Sequence, residues 1–253
     1  MTEERMTLSL DAEKYGNFLR CITNLREVCN DVDLRGGVIR QRSNDKSTVF
    51  QMDLRPILND QEVDMPISDI KKKLELLKIF SGQEVTITFV EDSFSFADDV
   101  TTIRFKNPTL EYMDNKFLSM EELERVFIMD DDELIIDTKL ITKVTERIKI
   151  ITQTFNTQAI QVVFMGEEAK ITSITQARDQ DAKILEGITT NAIIDGCSSN
   201  LSTVPFSIEL ENEVDFKMFK HPNQDVLMNK FDTALGDVPV TIYGRAAIIK
   251  DED

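Results

Sequence analysis

The order of predicted elements in the first half of the chain recurs in the second half, and this repeat constrains the fold more than any other feature. Each half reads as a strand, an amphipathic helix, a run of alternating strands, a second helix and further strands. The halves share the order and spacing of elements but no readable sequence identity. Each is about 110–130 residues long, which is an ordinary domain size. We therefore expect an α+β fold of two tandem domains, with antiparallel sheets and helices on one face. The expected bounds are 1–107 and 128–253, with an interdomain connector at 108–127.

Apolar residues at helical spacing predict four helices in these two copies. The helix near the N-terminus begins after Asp11, a residue suited to cap it, and its apolar stripe includes Tyr15 and Phe18. The connector is expected to contain one further helical turn at 119–125. The four predicted helices are 11–28, 67–80, 137–155 and 212–220.

The second predicted helix, with the sequence SDIKKKLELLKIF, concentrates positive charge in an acidic chain. The formal net charge of the protein is −17. At about 100° per residue, Lys72 lies opposite the apolar stripe, and the other lysines flank the stripe. Ser68 or Asp69 is suited to cap this helix, and Gly82 is suited to stop it.

Positive charge is segregated onto the predicted helices as a group. They carry 13 of the 29 Lys and Arg residues but only 9 of the 46 Asp and Glu residues. The helices are therefore net positive, and the remainder of the chain is strongly negative. Phosphate attraction depends on local Lys and Arg rather than on average charge, so an acidic protein of this kind can still bind nucleic acid.

Residues for catalysis or metal binding do not assemble in the sequence. His221 is the single histidine, and Cys21, Cys29 and Cys197 lack metal-ligand spacing. The phosphate-loop pattern G-x-x-x-x-G-K-[ST] is absent, and no apolar run approaches the ~20 residues of a membrane span. The acidic run 130–133 could hold a hard cation but is interpreted as a solvated turn. We expect no enzymatic activity, cofactor, metal or membrane association, and a cytoplasmic location.

Three stretches carry a resemblance to a known family, and they occur in the family's order. They are DMPISDIKKKLELLKIFSGQEVTITFVEDSFSFA, PFSIELENEVDFKMFKHPNQDVLMNKFD and GDVPVTIYG. Together they resemble the sliding clamps, the DNA polymerase processivity factors, in the two-domain type of tailed phages, with PCNA as the cellular relative. The resemblance implies a homotrimeric ring that encircles duplex DNA without sequence specificity and binds a DNA polymerase and a clamp loader. For a phage protein, the location would be the infected host cell.

The resemblance also implies two sets of site residues. The chain departs from the PCNA pattern near its C-terminus, where a late strand with aromatic residues is missing or replaced by Ala246–Ile249, and this affects the partner groove. The residues expected to face DNA are Arg20, Lys71, Lys72, Lys73, Lys78, Lys139, Lys143, Lys149, Lys217 and Lys220. Those expected to bind partner peptides are Phe117, Leu118, Met120, Leu123 and Pro239.

Two other functions fit the composition. The first alternative is an acidic interaction module or DNA mimic that inhibits a host nucleic-acid enzyme. In that protein the helix lysines should be held in salt bridges, and the acids should follow phosphate-like spacing. An enzyme is the second alternative, and it requires a pocket with perturbed carboxylates.

Overall fold

The computed structural model describes residues 6–108, 117–155, 159–165, 168–173, 182–185, 197–209 and 213–250. The chain divides into two compact units, each described below by itself. The predicted domain and connector bounds stay a prediction, and connector residues 109–116 lie outside the described residues. Unit 1 comprises Met1–Asn44, Phe50–Leu118 and Ala234–Val240; unit 2 comprises Asp45–Val49, Ser119–Thr233 and Thr241–Asp253.

Unit 1 contains two antiparallel sheets and two helices. One sheet has the strand order β1-β6-β7-β8 and the other β4-β3-β2-β5. A single 3₁₀ turn, Lys78–Phe80, extends the second helix. The elements are β1 (Met6–Leu10), α1 (Ala12–Leu25), β2 (Val32–Arg35), β3 (Val38–Arg42), β4 (Thr48–Asp53), β5 (Met65–Ile67), α2 (Ile70–Leu77), β6 (Val85–Val90), β7 (Ser93–Ala97) and β8 (Thr102–Lys106).

Aromatic side chains join both helices of unit 1 to one of its sheets. The ring of Tyr15 on α1 lies 6.3 Å from that of Phe80 after α2 and 6.2 Å from that of Phe96 on β7, measured between centroids. All three side chains are fully buried. Tyr15 Oη also donates a 2.8 Å hydrogen bond to the carbonyl of Leu77, and burial raises the pKa of Tyr15. The helix positions are therefore fixed by apolar packing and one buried hydrogen bond.

Unit 2 also combines helices with antiparallel sheets. Its strand pairs follow the order β12-β11-β10-β13-β16, while β14 pairs with both β9 and β15, and β15 pairs with β16. Short 3₁₀ segments lie at Asp131–Glu133 and Val204–Ser207. The elements are α3 (Met120–Val126), β9 (Leu134–Ile141), α4 (Thr142–Phe155), β10 (Ala159–Met165), β11 (Glu168–Ser173), β12 (Ala182–Leu185), β13 (Cys197–Ser202), β14 (Glu213–Lys220), β15 (Val226–Leu235) and β16 (Val238–Lys250).

The fold class and most helix positions are confirmed. The structure is α+β with antiparallel sheets, and helices occur within three of the four predicted ranges. Asp11 caps α1 by accepting a 2.8 Å hydrogen bond from the amide of Lys14. Asp69 occupies the cap position of α2, but its φ is +51° and its side chain makes no capping bond.

The fourth predicted helix, 212–220, is wrong, because Glu213–Lys220 is strand β14. Its buried residues Val214, Phe216 and Met218 alternate with more exposed ones, and this is the period of a strand. Residues 137–141, expected at the start of the third helix, instead belong to β9 and pair with β14. Hydrogen-bonded pairing of β9 with β14 outweighs the weak helical periodicity of residues 137–141 and 212–220.

We predict that Phe96→Ala destabilises the protein by about 3–5 kcal/mol, because it leaves a cavity among the aromatic rings. Urea unfolding followed by far-ultraviolet circular dichroism measures the change. Val100→Ala is the control, since Val100 is 91% exposed and its truncation should change stability by less than about 0.5 kcal/mol. Equal effects of the two substitutions would contradict the core assignment.

Candidate nucleic-acid and partner interfaces

Helices α1 and α2 lie beside each other in unit 1 and bring several cations together. Arg26, directly after α1, approaches Glu75 on α2 with an N–O distance of 3.8 Å. The Tyr15–Leu77 hydrogen bond joins the same two helices from the buried side. The two helices that carry the predicted Lys and Arg residues of unit 1 therefore lie side by side.

The lysines of α2 differ in their surroundings. Lys72 is 85% exposed and forms a 2.9 Å ion pair with Asp69, whose hydrogen bond raises the pKa of Lys72. Lys78 forms a 2.7 Å ion pair with Glu75 and lowers the pKa of that carboxylate. Lys71 is exposed and forms no ion pair with the part of the chain that the structure describes.

Lys73 points toward the sheet rather than into solvent. Its ammonium donates a 3.0 Å hydrogen bond to Ser68 Oγ and lies 5.4 Å from the ring centre of Phe105 on β8. Desolvation by burial lowers the pKa of Lys73. The cation–π contact joins α2 to β8, and the hydrogen bond holds the ammonium near Ser68. Lys73 therefore offers less charge to an external ligand than Lys71 or Lys72.

Helix α1 carries less available positive charge than α2. Arg20 is half-buried on α1. Lys14, in the first turn of the helix, donates a short hydrogen bond to Asn59 Oδ1. The exposed lysines of unit 1 are therefore concentrated on α2.

In unit 2, the predicted cations divide between a helix and a sheet. Lys143 and Lys149 lie on α4, with Lys143 exposed and Lys149 half-buried. Lys139, Lys217 and Lys220 lie on β9 and β14, so the prediction that they project from helices is wrong. The alternation of these strands, rather than a helical period, determines where their side chains point.

Two of the three strand lysines of unit 2 are compensated by neighbouring acids. Lys139 forms ion pairs of 3.1 Å with Glu213 and 3.8 Å with Asp215, and the hydrogen bond to Glu213 raises its pKa. Lys217 pairs with Asp137 across the ladder at 3.4 Å. Exposed pairs of this kind are weak and screened by salt, so a phosphate can compete for the lysine.

The first partner-binding candidates, Phe117 and Leu118, anchor the end of the connector to two arginines. The Phe117 ring lies 4.8 Å from the guanidinium carbon of Arg35 and 5.5 Å from that of Arg40. Leu118 donates its amide to the carbonyl of Arg40, and its own carbonyl accepts from the Arg40 guanidinium at 3.1 Å. Leu118 is buried, so it contributes to anchoring more than to an open surface.

The remaining partner candidates differ in exposure. Met120 on α3 is 44% exposed, whereas Leu123 is buried. A capping box begins α3: Ser119 Oγ accepts from the amide of Glu122, and the Glu122 carboxylate accepts from the amide of Ser119. Pro239 is exposed on β16. Met120 and Pro239 therefore offer more surface to an incoming peptide than Leu118 or Leu123.

Two groups of residues were not anticipated from the sequence. Arg35 and Arg40 lie on separate strands, and no linear pattern links them to Phe117. Leu76, Ile79 and Ile150 are 44%, 52% and 62% exposed. The helical wheel of α2 contains a signal for the first two, because both lie off its buried stripe.

The described ranges contain neither a metal-binding cluster nor a membrane-spanning helix. Across these residues, no three or more His, Cys, Asp or Glu side chains are arranged to hold a metal ion. No helix among them combines the length and apolar character needed to cross a bilayer.

Solved structures with related architecture decide the fold. PCNA from A. fulgidus, solved with the C-terminal region of FEN-1, superposes with a TM-score of 0.61 at 10% identity, over 98% of this chain and 99% of that one. Entamoeba histolytica PCNA superposes with a TM-score of 0.59 at 13% identity, and the match covers 95% of this chain and 98% of that one. The Helicobacter pylori beta clamp, bound to a DNA ligase peptide, superposes with a TM-score of 0.62 at 13% identity. The match covers 98% of this chain and 68% of that one. The fold is that of the sliding clamps.

Sequence comparison alone does not find this similarity. No protein-family model matches the chain, and no curated protein matches its sequence.

We predict that Phe117→Ala loosens the connector end, because the substitution removes the ring between two guanidinium groups. Protection of the Leu118 amide from hydrogen exchange should fall about 5–30-fold, as expected for a loss of one or two kcal/mol. Hydrogen exchange read by mass spectrometry measures it. Ser119→Ala is the matched control and should deprotect α3 while leaving Leu118 unchanged. Unchanged protection of Leu118 in Phe117→Ala would contradict an anchoring role for the contact between Phe117 and the two arginines.

Proposed function

We propose that the protein is a DNA sliding clamp that encircles duplex DNA and tethers a replicative polymerase. The observation that supports this proposal is the clamp fold over nearly the whole chain. On this proposal residues 1–107 and 128–253 are two clamp domains joined by the connector 108–127. The protein acts as a scaffold without catalysis, and a phage origin accounts for the motif resemblance.

Electrostatics gives the mechanism of DNA association. Lysines on α2 and α4 attract phosphates without reading bases, and acids elsewhere repel DNA from the remaining surface. Lys71, Lys72 and Lys143 are the strongest contributors, since all three are exposed on helices. Long, solvated lysine side chains make weak contacts that exchange between successive phosphates, which permits sliding.

Exposed apolar side chains supply the surfaces for a homotrimeric ring. A head-to-tail ring needs two different patches on each subunit. Leu76 and Ile79 form one patch in unit 1, and Ile150 on α4 supplies the other in unit 2. In the proposed ring, the first patch of one copy packs against the second patch of the next.

The partners proposed for this clamp are a DNA polymerase and a clamp loader. Two of the similar structures contain peptides, from FEN-1 and from a DNA ligase. In this chain, Met120 and Pro239 are the exposed candidates for such contacts. Phe117 and Leu118 anchor the end of the connector, just before Met120 in the sequence.

An acidic DNA mimic is the second candidate, and the ion pairs of Lys72, Lys78, Lys139 and Lys217 favour it. A mimic must hide its cations, whereas a clamp must present them. Lys71 and Lys143 are exposed without an ion pair to any described residue, which favours the clamp.

We predict that Lys71→Glu combined with Lys143→Glu weakens binding to duplex DNA about tenfold or more at low salt and flattens its salt dependence. Arg104→Glu combined with Lys106→Glu is the matched control, with the same charge change on strand β8. Fluorescence anisotropy across a salt series measures both, and native mass spectrometry checks that assembly is intact. Equal losses in the two variants would contradict specific lysine contacts.

We predict that Ile79→Asp and Ile150→Asp each weaken self-association about tenfold or more, since each places a charge in an apolar contact. Native mass spectrometry over a protein concentration series reports the trimer. Val100→Asp, at a side chain that is 91% exposed, should leave assembly unchanged. A wild-type protein that stays monomeric at high micromolar concentration would overturn the ring.

A further inference from the structure

Unit 1 contains a cavity whose lining includes none of the proposed DNA-facing lysines. Its volume is about 440 Å³, within the roughly 300–1,000 Å³ of protein ligand pockets. Turns and strand ends line it: Gly36 between β2 and β3, Glu62–Asp64 before β5, Glu91 between β6 and β7, and Asn107 after β8. Backbone turns therefore hold its rim in place.

Among the described residues, the lining combines an apolar floor with acidic groups and contains no basic side chain. Val63 and Phe94 are buried in the floor, while Phe89 and Val90 are half-buried and present apolar surface to the cavity. A lining that joins apolar side chains with carboxylates suits a ligand that has a hydrophobic body and a cationic head.

The three carboxylates in the described part of the lining differ in whether they already have a bonding partner. Asp64 accepts a 2.8 Å hydrogen bond from the amide of Gly36 and so fixes the rim. Glu62 and Glu91 are exposed and form no ion pair with any residue in the described ranges. Arg55 lies within electrostatic range of Glu62, but Asp53 holds its guanidinium with bonds of 2.8 and 2.5 Å. Two carboxylates therefore remain available to an external cation.

Asn107 adds a hydrogen-bond acceptor to the wall. Its amide nitrogen on the backbone donates to the carbonyl of Asp92 at 2.8 Å, but its side-chain Oδ1 is buried without a partner. A buried, unsatisfied acceptor costs about 1–3 kcal/mol. Rotation of this side chain toward a bound N–H donor would relieve that cost.

We propose that this cavity is a second docking site, for a protein segment in which an arginine or lysine adjoins an apolar residue. The apolar residue and the aliphatic stem of the cation pack on Phe89, Val90 and Phe94, and the cationic head binds Glu62 and Glu91. Charge complementarity determines the choice of partner, because the part of the lining that the structure describes contains acids and no cation. The cavity is also larger than a single ammonium or guanidinium head, which favours a chain segment over a lone cation.

The site is independent of the proposed DNA function and would let a basic partner bind while the helical lysines are occupied. Attraction between exposed carboxylates and such a segment should weaken as salt is added. Binding of one short peptide is expected to be weak, since an immobilised side chain costs about 0.5–1.5 kcal/mol of ordering.

Methyl NMR of the full-length protein tests the proposal with acetyl-Phe-Arg-amide as the probe. Saturable shifts are expected for the methyl groups of Met6, Val63 and Val90, which line the cavity. The neutral analogue acetyl-Phe-citrulline-amide and the less apolar acetyl-Gly-Arg-amide should each bind at least about fivefold more weakly. Equal binding of the citrulline peptide would overturn the charge argument.

Glu62→Gln combined with Glu91→Gln should weaken binding of the same probe at least about fivefold, with both substitutions at exposed, well-tolerated positions. Glu121→Gln combined with Glu124→Gln is the matched control, with the same charge change on exposed residues of α3. Unchanged affinity in the first variant would overturn the site. So would shifts of the cavity methyls by magnesium chloride alone that compete with the peptide, since that result would assign the carboxylates to a metal.

Discussion

The packing of Tyr15 against Phe80 and Phe96 is the interaction on which the proposed DNA surface depends. It holds α1 and α2 together on one sheet of unit 1, with the Tyr15 hydroxyl bonded to the Leu77 carbonyl. Burial of this aromatic cluster leaves the opposite side of α2 in solvent. The lysines on that side are therefore presented by an apolar core rather than by contacts of their own.

Ion pairs then reduce the positive charge that the lysines of α2 present to solvent. Lys72 and Lys78 bind acids one turn away on the same helix, whereas Lys73 turns back to Ser68 and Phe105. Exposed pairs are weak, so they reduce the local potential without removing the lysines from a ligand's reach. Such screening suits a protein that must hold DNA without fixing its position.

Sequence reasoning succeeded where local pattern and tertiary environment agree. The α1 stripe, the Asp11 cap and the α+β class follow from periodicity and capping chemistry, and packing reinforces each of them. It failed at 212–220, where a segment compatible with a short helix has buried residues at Val214, Phe216 and Met218. A period of two and a period of 3.6 are hard to separate over nine residues, and pairing with β9 and β15 decided between them.

The sequence by itself determined the class of fold, the acidic balance and the positions of the lysines on α2 and α4. Those properties depend on residue types and on spacing along the chain, which need no knowledge of distant contacts. Tertiary structure alone decided that Lys139 and Lys217 face acids across a ladder, that Phe117 lies between Arg35 and Arg40, and that Glu62 and Glu91 share a cavity. Each of these brings together residues far apart in sequence, and only the folded backbone fixes such distances.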